Sequence, residues 1–519
     1  MGAATGGRAG LNRRPGTPSL LRELNDRAAL ELLLTEGPMT RAQLGTRTGL
    51  SKVTASQLLS RLEDRGLVEV AGEQAGGRGP NAALYAVVPS SAYVAGLHVE
   101  QDVVSACVAD VTGRVVSEIA VDPNGSGDPV ELVRGAVGTA CSAAGISPEA
   151  LRAFVIGTPG VLDPRTGDLR LVVNLPAWHE GVHEALSADL GRPVTIENDV
   201  NLAAMAERAV GAAQGVEDFV LVWIGVGLGL ATVLGGRLHR GVGGAAGEIG
   251  YLPVPGAKLP TDLDHPATGA FQSLVGAQAV LPLAAQYGFV ASTAGGAVRA
   301  AVQAAIDQAA IDQAPIDTGG DGSPAVEAVI EASSGGPGGP DEVVGNQIDG
   351  ASAGIESARG VVAGDGSAGN EPAGKGSAGK GSAGLTPAGD EVPGGDSADR
   401  APLAGVRIRK MTAGVPAAGF GPVGSGRGAE FLDELASRVA TGVAAISVVL
   451  DPGLVVLGGE VGLAGGEALA SRVAVEVGRI CPARPRVVPT GISGGPVLRG
   501  AILAAVDRAR AELLASVAS

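Results

Sequence analysis

Residues 40–80 read TRAQLGTRTGLSKVTASQLLSRLEDRGLVEVAGEQAGGRGP, and their caps and turns predict two short helices followed by two strands. Thr40 stands three residues before Gln43, the capping-box spacing in which hydroxyl and amide satisfy each other's backbone donors. Gly49 supplies the left-handed residue that ends the first helix, and Ser51 is placed to cap the second. The segment therefore predicts a helix-turn-helix.

Apolar residues at helical spacing are expected to form the core of this unit, while the small Gly45 would let the two helices approach closely. The expected core residues are Leu44, Leu50, Val53, Leu58 and Leu62.

Polar side chains at the start of the second helix suit a recognition helix, whose N-terminal residues meet base edges in the major groove of DNA. Arg61 and Arg65 follow one and two turns further on and are expected to touch phosphate. The candidate DNA-binding residues of this helix are Lys52, Thr54, Ser56, Gln57 and Arg61.

Two short strands, residues 67–70 and 83–88, are predicted after the helices, joined by a glycine-rich loop that carries Arg78. A flexible arginine at such a wing tip can enter a narrow minor groove, where the negative potential is greatest. Residues 1–80 hold 11 Lys+Arg and 8 Asp+Glu, a net +3 on a chain of net −16. A three-helix unit for protein contacts is the alternative, but the local charge favours double-stranded DNA.

The length, the apolar segments and the cysteines indicate how many domains to expect and argue against a secreted or membrane protein. At 519 residues the chain should contain more than one domain, and Met1–Ser19 has no apolar run typical of a signal peptide, so a cytoplasmic location is expected. Residues 219–236 are uncharged and nearly long enough to span a bilayer. The glycines at positions 225, 227 and 229 alternate with other residues, which favours a buried hairpin over a membrane helix. Three distant cysteines, Cys107, Cys141 and Cys481, suggest neither a disulfide framework nor a metal site.

A long segment after residue 291 lacks the composition of a folded core. Residues 291–419 contain no Phe, Tyr or Trp, and they hold 16 Asp+Glu against 8 Lys+Arg. Such a segment buries too little apolar surface to offset its ordering entropy. Residues 292–427 are therefore predicted to be a mostly disordered insertion, with helix left open near either end and with a partner-binding segment as the functional alternative.

The rest of the chain alternates strand-like and helix-like runs, which predicts an α/β fold with two sheet-containing lobes. The expected organisation is a disordered arm (1–18), a winged helix-turn-helix (19–90), a first part of the α/β domain (91–291), the insertion (292–427) and a C-terminal part (428–519).

Several segments resemble the ROK family, which groups bacterial sugar kinases with transcriptional repressors of the same fold. The matching segments are PGVLDPRTG (159–167), NLPAW (174–178), ENDVNLAAMAE (197–207), GVGLGLATVLGGRLHRGVGGAAGEIGYLPV (225–254), LDPGLVVLGGEV (450–461) and PVLRGAILAA (496–505). An N-terminal winged helix-turn-helix is the mark of the repressor branch. The resemblance implies a two-lobed, actin-like fold, a sugar site in the cleft and a homodimer or tetramer.

By this resemblance, the effector site is expected at Asn174, Asn198, Asp199, Glu248 and Tyr251. In family kinases the Asn binds a sugar hydroxyl and the Asp removes a proton from the attacking hydroxyl. Without a phosphate donor, Asp199 would only accept hydrogen bonds. The structural alternative is that Asp199 caps the following helix and Glu248 satisfies nearby backbone.

Two departures from the family pattern argue against a kinase and against a cofactor. The phosphate loop of family kinases has a D-x-G-G-T pattern, but His98 stands here for its Asp and Glu100 and Gln101 for its glycines. Carboxylates at Glu100 and Asp102 would repel a triphosphate. The family's zinc cysteines align with residues 263–270, which contain none, so neither zinc nor any other cofactor is expected. In relatives a sugar-binding glutamate stands at the position of Gln272.

The sequence thus predicts a DNA-binding transcriptional regulator of carbohydrate-related genes that binds a palindromic operator and responds to a small sugar; repression is the first expectation, and activation stays open because both use the same contacts. The alternatives are a sugar kinase with an added DNA-binding domain and a DNA-binding protein without an effector.

Overall fold

The N-terminal part of the described chain is a winged helix-turn-helix. The computed structural model describes residues 18–75, 81–123, 128–170, 178, 181–259, 269–313 and 427–517. The first elements are α1 (Pro18–Glu36), β1 (Met39–Thr40), α2 (Arg41–Thr48), α3 (Lys52–Asp64), β2 (Val68–Gln74) and β3 (Ala82–Val87). Strand β3 lies between β1 and β2 and is antiparallel to both.

The caps of α2 and α3 confirm the predicted helix-turn-helix. The Thr40 hydroxyl accepts from the Gln43 backbone N–H at 3.2 Å, and the Gln43 side chain accepts from the Thr40 N–H at 2.8 Å. Gly49 ends α2 with φ +71°, and the Ser51 hydroxyl caps α3. The prediction of a buried Val53 is wrong, because 67% of this residue is exposed on the outer face of α3.

A five-stranded sheet follows, with strand order β10-β7-β4-β5-β6. The parallel strands β10, β7 and β4 place their carboxyl ends at one edge, and β5 and β6 continue the sheet antiparallel. Its elements are β4 (Tyr93–Val99), β5 (Val104–Asp110), β6 (Val115–Val121), α4 (Pro129–Ala144), β7 (Leu151–Thr158), β8 (Val161–Leu162), β9 (Leu169–Arg170), α5 (Val182–Asp189), β10 (Val194–Asn198) and α6 (Asp199–Val210).

A second five-stranded sheet has the order β13-β12-β11-β14-β15, so the predicted α/β fold with two sheets is confirmed. Its elements are β11 (Phe219–Ile224), β12 (Leu228–Leu234), β13 (Arg237–Leu238), α7 (Gln272–Val275), α8 (Ala277–Gln286), α9 (Ala294–Gln313), α10 (Arg427–Leu450), β14 (Leu454–Gly458), α11 (Gly459–Ile480) and β15 (Arg486–Pro489), and the chain ends with α12 (Pro496–Val517). The apolar run 219–236 forms the predicted hairpin. Within the described residues, no helix combines the length and hydropathy that crossing a bilayer requires.

Helix α9, Ala294–Gln313, lies at the N-terminal end of the predicted insertion, where the sequence analysis left helix open. Ala294, Ala297, Val298 and Ala301 are fully buried. Their small side chains permit close helix contact: a Cβ added to Gly428 of α10 would lie 2.5 Å from the carbonyl oxygen of Ala301. Composition had suggested disorder because the segment lacks large apolar residues, but alanine buries well against neighbouring glycine. Residues 314–426 lie outside the described residues.

Helix α12 packs on the first sheet at two glycines and on α6 at a third. A Cβ at Gly96 of β4 would lie 2.9 Å from the Ile502 nitrogen, and one at Gly157 of β7 would lie 2.6 Å from a Val497 methyl. At Gly500 the added Cβ would meet the Leu202 carbonyl oxygen of α6 at 1.9 Å. The C-terminal helix can therefore lie where it does only because side chains are absent at these positions.

The same helix also reaches the winged helix-turn-helix. Leu30 of α1 and Val517 of α12 belong to one buried apolar cluster that also includes residues of the first sheet. Arg65, just after α3, donates to the backbone carbonyl of Ser516 at 2.7 Å. A continuous core and a polar contact thus join α12 to the helix-turn-helix.

Because the Gly500 contact involves backbone atoms on both sides, we expect Gly500→Ala to lower the free energy of unfolding by about 1–3 kcal/mol or more. Gly135→Ala on α4 is the matched control, because its added Cβ would meet no atom within 4 Å. This control should be neutral or stabilising by about 0.5–1 kcal/mol. Urea unfolding of both variants checks the prediction, and equal midpoints would contradict the packing described for α12.

Candidate functional sites

The N-terminal half of α3 presents a small polar surface. Lys52 and Gln57 are exposed, whereas Thr54 and Ser56 are partly buried. The Thr54 hydroxyl lies 2.9 Å from the Ser51 hydroxyl that caps the helix. Of the four residues predicted to face base edges, Lys52 and Gln57 project furthest into solvent, while Thr54 also serves the cap.

Arg61 is directed into the domain. Its guanidinium forms a bidentate ion pair with the buried Asp26 of α1. Nε lies 2.9 Å from Oδ2, and Nη2 donates to Oδ1. The hydrogen bond to Asp26 raises the pKa of Arg61 above its usual value. This side chain ties α1 to α3 and so fixes the position of α3, and the phosphate contact expected of Arg61 stays a prediction.

The wing strands are present, although they differ in length from the predicted ones. Near the wing loop, Asn81 donates to Glu73 across the ladder at 3.1 Å, and at the other side of the sheet Arg41 donates to the Tyr85 hydroxyl at 2.9 Å. The loop tip with Arg78 lies outside the described residues, so its minor-groove contact stays a prediction.

The start of α6 carries the central pair of the predicted effector site. Asn198 ends β10 and caps α6, because its side-chain oxygen accepts from the Asn201 N–H at 3.1 Å. Its amide donates to the Gly160 carbonyl at 3.2 Å. The cap proposed for Asp199 in the structural alternative is thus supplied by Asn198. Asp199 is the first residue of α6, and its carboxylate accepts from the Val200 N–H at 2.8 Å.

Glu100, Asp199 and Glu248, here called the acidic trio, lie close enough for their charges to interact. Burial raises the pKa of Asp199 to about 6, although hydrogen bonds from Val200, its own backbone and Asn198 oppose the rise. Burial, and then the charge of Asp199, raise the pKa values of Glu100 and Glu248. The trio therefore brings together hydrogen-bond acceptors from the first sheet and from the segment that packs on the second.

The β4–β5 turn carries Glu100, Gln101 and Asp102, the residues that the sequence analysis aligned with the phosphate loop of family kinases. The Glu100 N–H donates to the Val103 carbonyl at 3.0 Å, which closes the turn. The Nδ1 atom of His98 lies 3.5 Å from Glu100, but burial lowers the pKa of His98 to about 4. His98 is thus neutral at physiological pH and leaves the negative charge of Glu100 uncompensated.

Gln272 holds the glycine hairpin between β11 and β12. Its side-chain oxygen accepts from the Leu228 N–H at 2.9 Å, and its amide donates to the Val226 carbonyl at 2.8 Å. A glutamate could not donate the second bond at neutral pH. These two hydrogen bonds to the backbone explain why an amide, and not a carboxylate, stands at position 272. The sequence alone did not predict this role.

Glu197 is a further site residue that the sequence analysis missed. It is buried and accepts from Arg240 at 2.8 Å, from Asn201 at 2.9 Å and from the Asn198 N–H at 3.1 Å. These bonds fix the strand end from which Asn198 and Asp199 project. The sequence offered one signal for this role, a charged residue inside a predicted strand. The structure shows that Glu197 is buried there.

Of the two other residues predicted for the effector site, the structure describes Tyr251 but not Asn174. Tyr251 is half-buried in a short 3-10 turn, where its backbone N–H donates to the Glu248 carbonyl at 3.2 Å. Asn174 and residues 260–268, which include most of the segment aligned with the zinc cysteines, lie outside the described residues. In the part of the chain that is described, no group of three or more His, Cys, Asp or Glu residues could hold a metal ion.

Comparison with known proteins matches two regions of the chain. Residues 94–270 match the model of the ROK family, and residues 24–79 match that of the MarR family. The xylose repressor of Caldicellulosiruptor bescii is 25% identical over 244 residues, which are 46% of this chain and 61% of the relative. The N-acetylglucosamine repressor of Shigella flexneri is 25% identical over 241 residues, 46% of this chain and 59% of the relative. The chain thus spans about three fifths of the curated relatives it matches.

A solved structure supports the same architecture. It is the crystal structure of a ROK family transcriptional regulator, a homolog of the Escherichia coli MLC protein. The superposition covers 96% of this chain and 99% of the solved chain, with a TM-score of 0.54 and 15% sequence identity. At this identity the likeness establishes the fold alone.

The raised pKa of Asp199 predicts a dependence of stability on pH. Between its unfolded pKa of about 4 and its folded pKa of about 6, the folded state holds more protons, so stability falls as pH rises through this window. We expect Asp199→Asn to unfold with a free energy higher than wild type by about 1–3 kcal/mol above pH 6. The difference should vanish near pH 4.

Thermal unfolding from pH 4 to pH 8 measures this difference. Asp218→Asn removes an exposed carboxylate as the control and should leave the wild-type pH profile in place. Parallel profiles for wild type and Asp199→Asn would contradict a raised pKa for the carboxyl group at the start of α6.

Proposed function

We propose, from the match of residues 94–270 to the ROK family and of residues 24–79 to the MarR family, that this chain is a sequence-specific transcriptional repressor. The DNA would be a palindromic operator bound by a homodimer or tetramer. A sugar or sugar derivative, bound at the acidic trio, would control the affinity for DNA. The regulated genes would concern carbohydrate metabolism.

The observation that carries the proposal is the capped, outward-facing start of α3 beside a winged sheet. Lys52 and Gln57 extend from this surface into solvent, and a side-chain amide and an ammonium are groups that read adenine and guanine edges in the major groove. The internal ion pair between Arg61 and Asp26 gives α3 a fixed orientation toward the duplex. Arg78 would add a contact to the minor groove from the wing.

The acidic trio supports a polyhydroxyl ligand. Asp199, Glu248 and Glu100 offer carboxylate oxygens, which accept hydrogen bonds from sugar hydroxyls. Asn198 is fixed by its bonds to Asn201 and Gly160, so its role is chiefly to hold Asp199 in place. Asn174 and Tyr251 stay in the proposed site by family resemblance.

Phosphoryl transfer from ATP is disfavoured in this proposal. By family resemblance, Glu100 and Asp102 stand where family kinases bind phosphates, and the charges of Asp199 and Asp102 both act on Glu100. Each carboxylate would repel a triphosphate by an energy on the order of 1 kcal/mol even with strong screening. Kinase activity is the alternative function, and sugar phosphate formed from ATP and a hexose panel would establish it.

Helix α12 offers a physical route from the sugar site to the DNA-binding domain. It packs on α6, whose first residue is Asp199, through the Gly500–Leu202 contact. Its other end meets Arg65 and α1. A sugar that moves α6 would therefore move α12 and change the spacing of the two winged helices in a dimer, on which operator affinity depends.

The DNA-binding proposal is tested by selecting random duplexes with the full chain at 0.15 M salt, a concentration near physiological ionic strength. We expect an enriched palindrome, and we expect Gln57→Ala to relax selectivity at one base pair per half-site by about 1–3 kcal/mol. Gln303→Ala on α9, an exposed glutamine outside the DNA-binding domain, is the control. Duplexes retained without a shared motif would reject sequence-specific regulation.

The proposed coupling predicts a specific defect in Arg65→Ala. With D-xylose and N-acetylglucosamine as probes, chosen from the names of the relatives, an active sugar should change wild-type operator affinity about 5- to 150-fold. Arg65→Ala should shrink that ratio, because it loses the contact to Ser516. Arg27→Ala, which removes an exposed positive charge from α1, should preserve it. An unchanged ratio with uniformly weaker binding would mean that Arg65 contacts phosphate.

A further inference from the structure

Val53 is the second residue of α3 and lies directly opposite the buried face of the helix. At about 3.6 residues per turn, the outermost row of α3 contains Val53, Gln57, Ser60 and Asp64. All four are exposed, and 67% of Val53 is accessible. The buried positions on the other face are Ala55, Leu58, Leu59 and Leu62. Val53 is the only apolar member of that row.

Single exposed apolar residues are common and by themselves need no explanation. Val53 differs because it shares its row with Gln57 and follows Lys52, on the surface that the proposed function turns toward the major groove. The major-groove edge of DNA offers one apolar group, the 5-methyl group of thymine. An exposed branched aliphatic side chain at this place therefore has a partner of matching chemistry.

We propose that Val53 is a specificity-determining residue that contacts the methyl group of a thymine in each half-site. The inference rests on the proposed function of DNA binding. Gln57 lies one turn further along the same row, about 6 Å away along the helix axis. Its amide can make two hydrogen bonds to adenine. Together the two side chains select neighbouring A·T pairs, one by its methyl group and one by its hydrogen-bonding edge.

The test uses the duplex selected by the full-length wild-type chain, with each thymine replaced singly by uracil. Uracil lacks the 5-methyl group and keeps the hydrogen-bonding groups, so the affinity ratio isolates the methyl contact. At one position per half-site we expect wild type to lose about fourfold in affinity, the value for one buried methyl-sized group. Val53→Ala should bind the thymine and uracil duplexes equally.

Val475→Ala is the matched control, since Val475 is an exposed helical valine, 56% accessible, outside the DNA-binding domain. It should retain the full thymine-to-uracil ratio. Selective binding without a uracil effect, or with the same effect in Val53→Ala, would overturn the inference and leave the proposed function standing. A failure of wild type to select any sequence would overturn both.

Discussion

The close approach of α12 to the first sheet is the constraint on which the rest of the structure depends. The helix comes last in the chain and yet covers strands formed near its beginning, at Gly96 and Gly157, and contacts α6 at Gly500. Backbone atoms approach closely at Gly96 and Gly500, and methyl groups fill the space above Gly157, so the surfaces cannot separate or slide without losing close packing. The contact joins distant parts of the chain into one core that continues into the helix-turn-helix.

Burial of carboxylates beside α6 has an energetic consequence. Asp199 is held partly out of water with Glu100 and Glu248 nearby, and its raised pKa means that its ionised form destabilises the folded state. Glu197 is also buried, but Arg240 and two asparagine groups compensate its charge. The difference separates the carboxylate that fixes the strand end from the carboxylates that are proposed to bind hydroxyl groups.

The winged helix-turn-helix divides its polar groups in a similar way. Arg61 and Asp26 pair inside the domain, Thr40 and Ser51 serve as caps, and these contacts fix the orientation of α3. Lys52, Val53 and Gln57 have no such internal task among the described contacts and project outward. A surface that combines an ammonium, an aliphatic group and an amide can complement the acceptors, methyl groups and donors of a major-groove edge.

Local sequence alone determined the helix-turn-helix, the hairpin at 219–236 and the strand-to-helix transition at Asn198, because caps, turn glycines and hydrophobic periodicity act over a few residues. Only the tertiary structure decided the roles of Val53, Arg61 and Gln272. Each depends on the rotational phase of a helix or on a partner at least 35 residues away, which no local pattern specifies. The order of residues 294–313 was likewise decided by tertiary packing, since alanines become a stable core only when close neighbours exclude water from them.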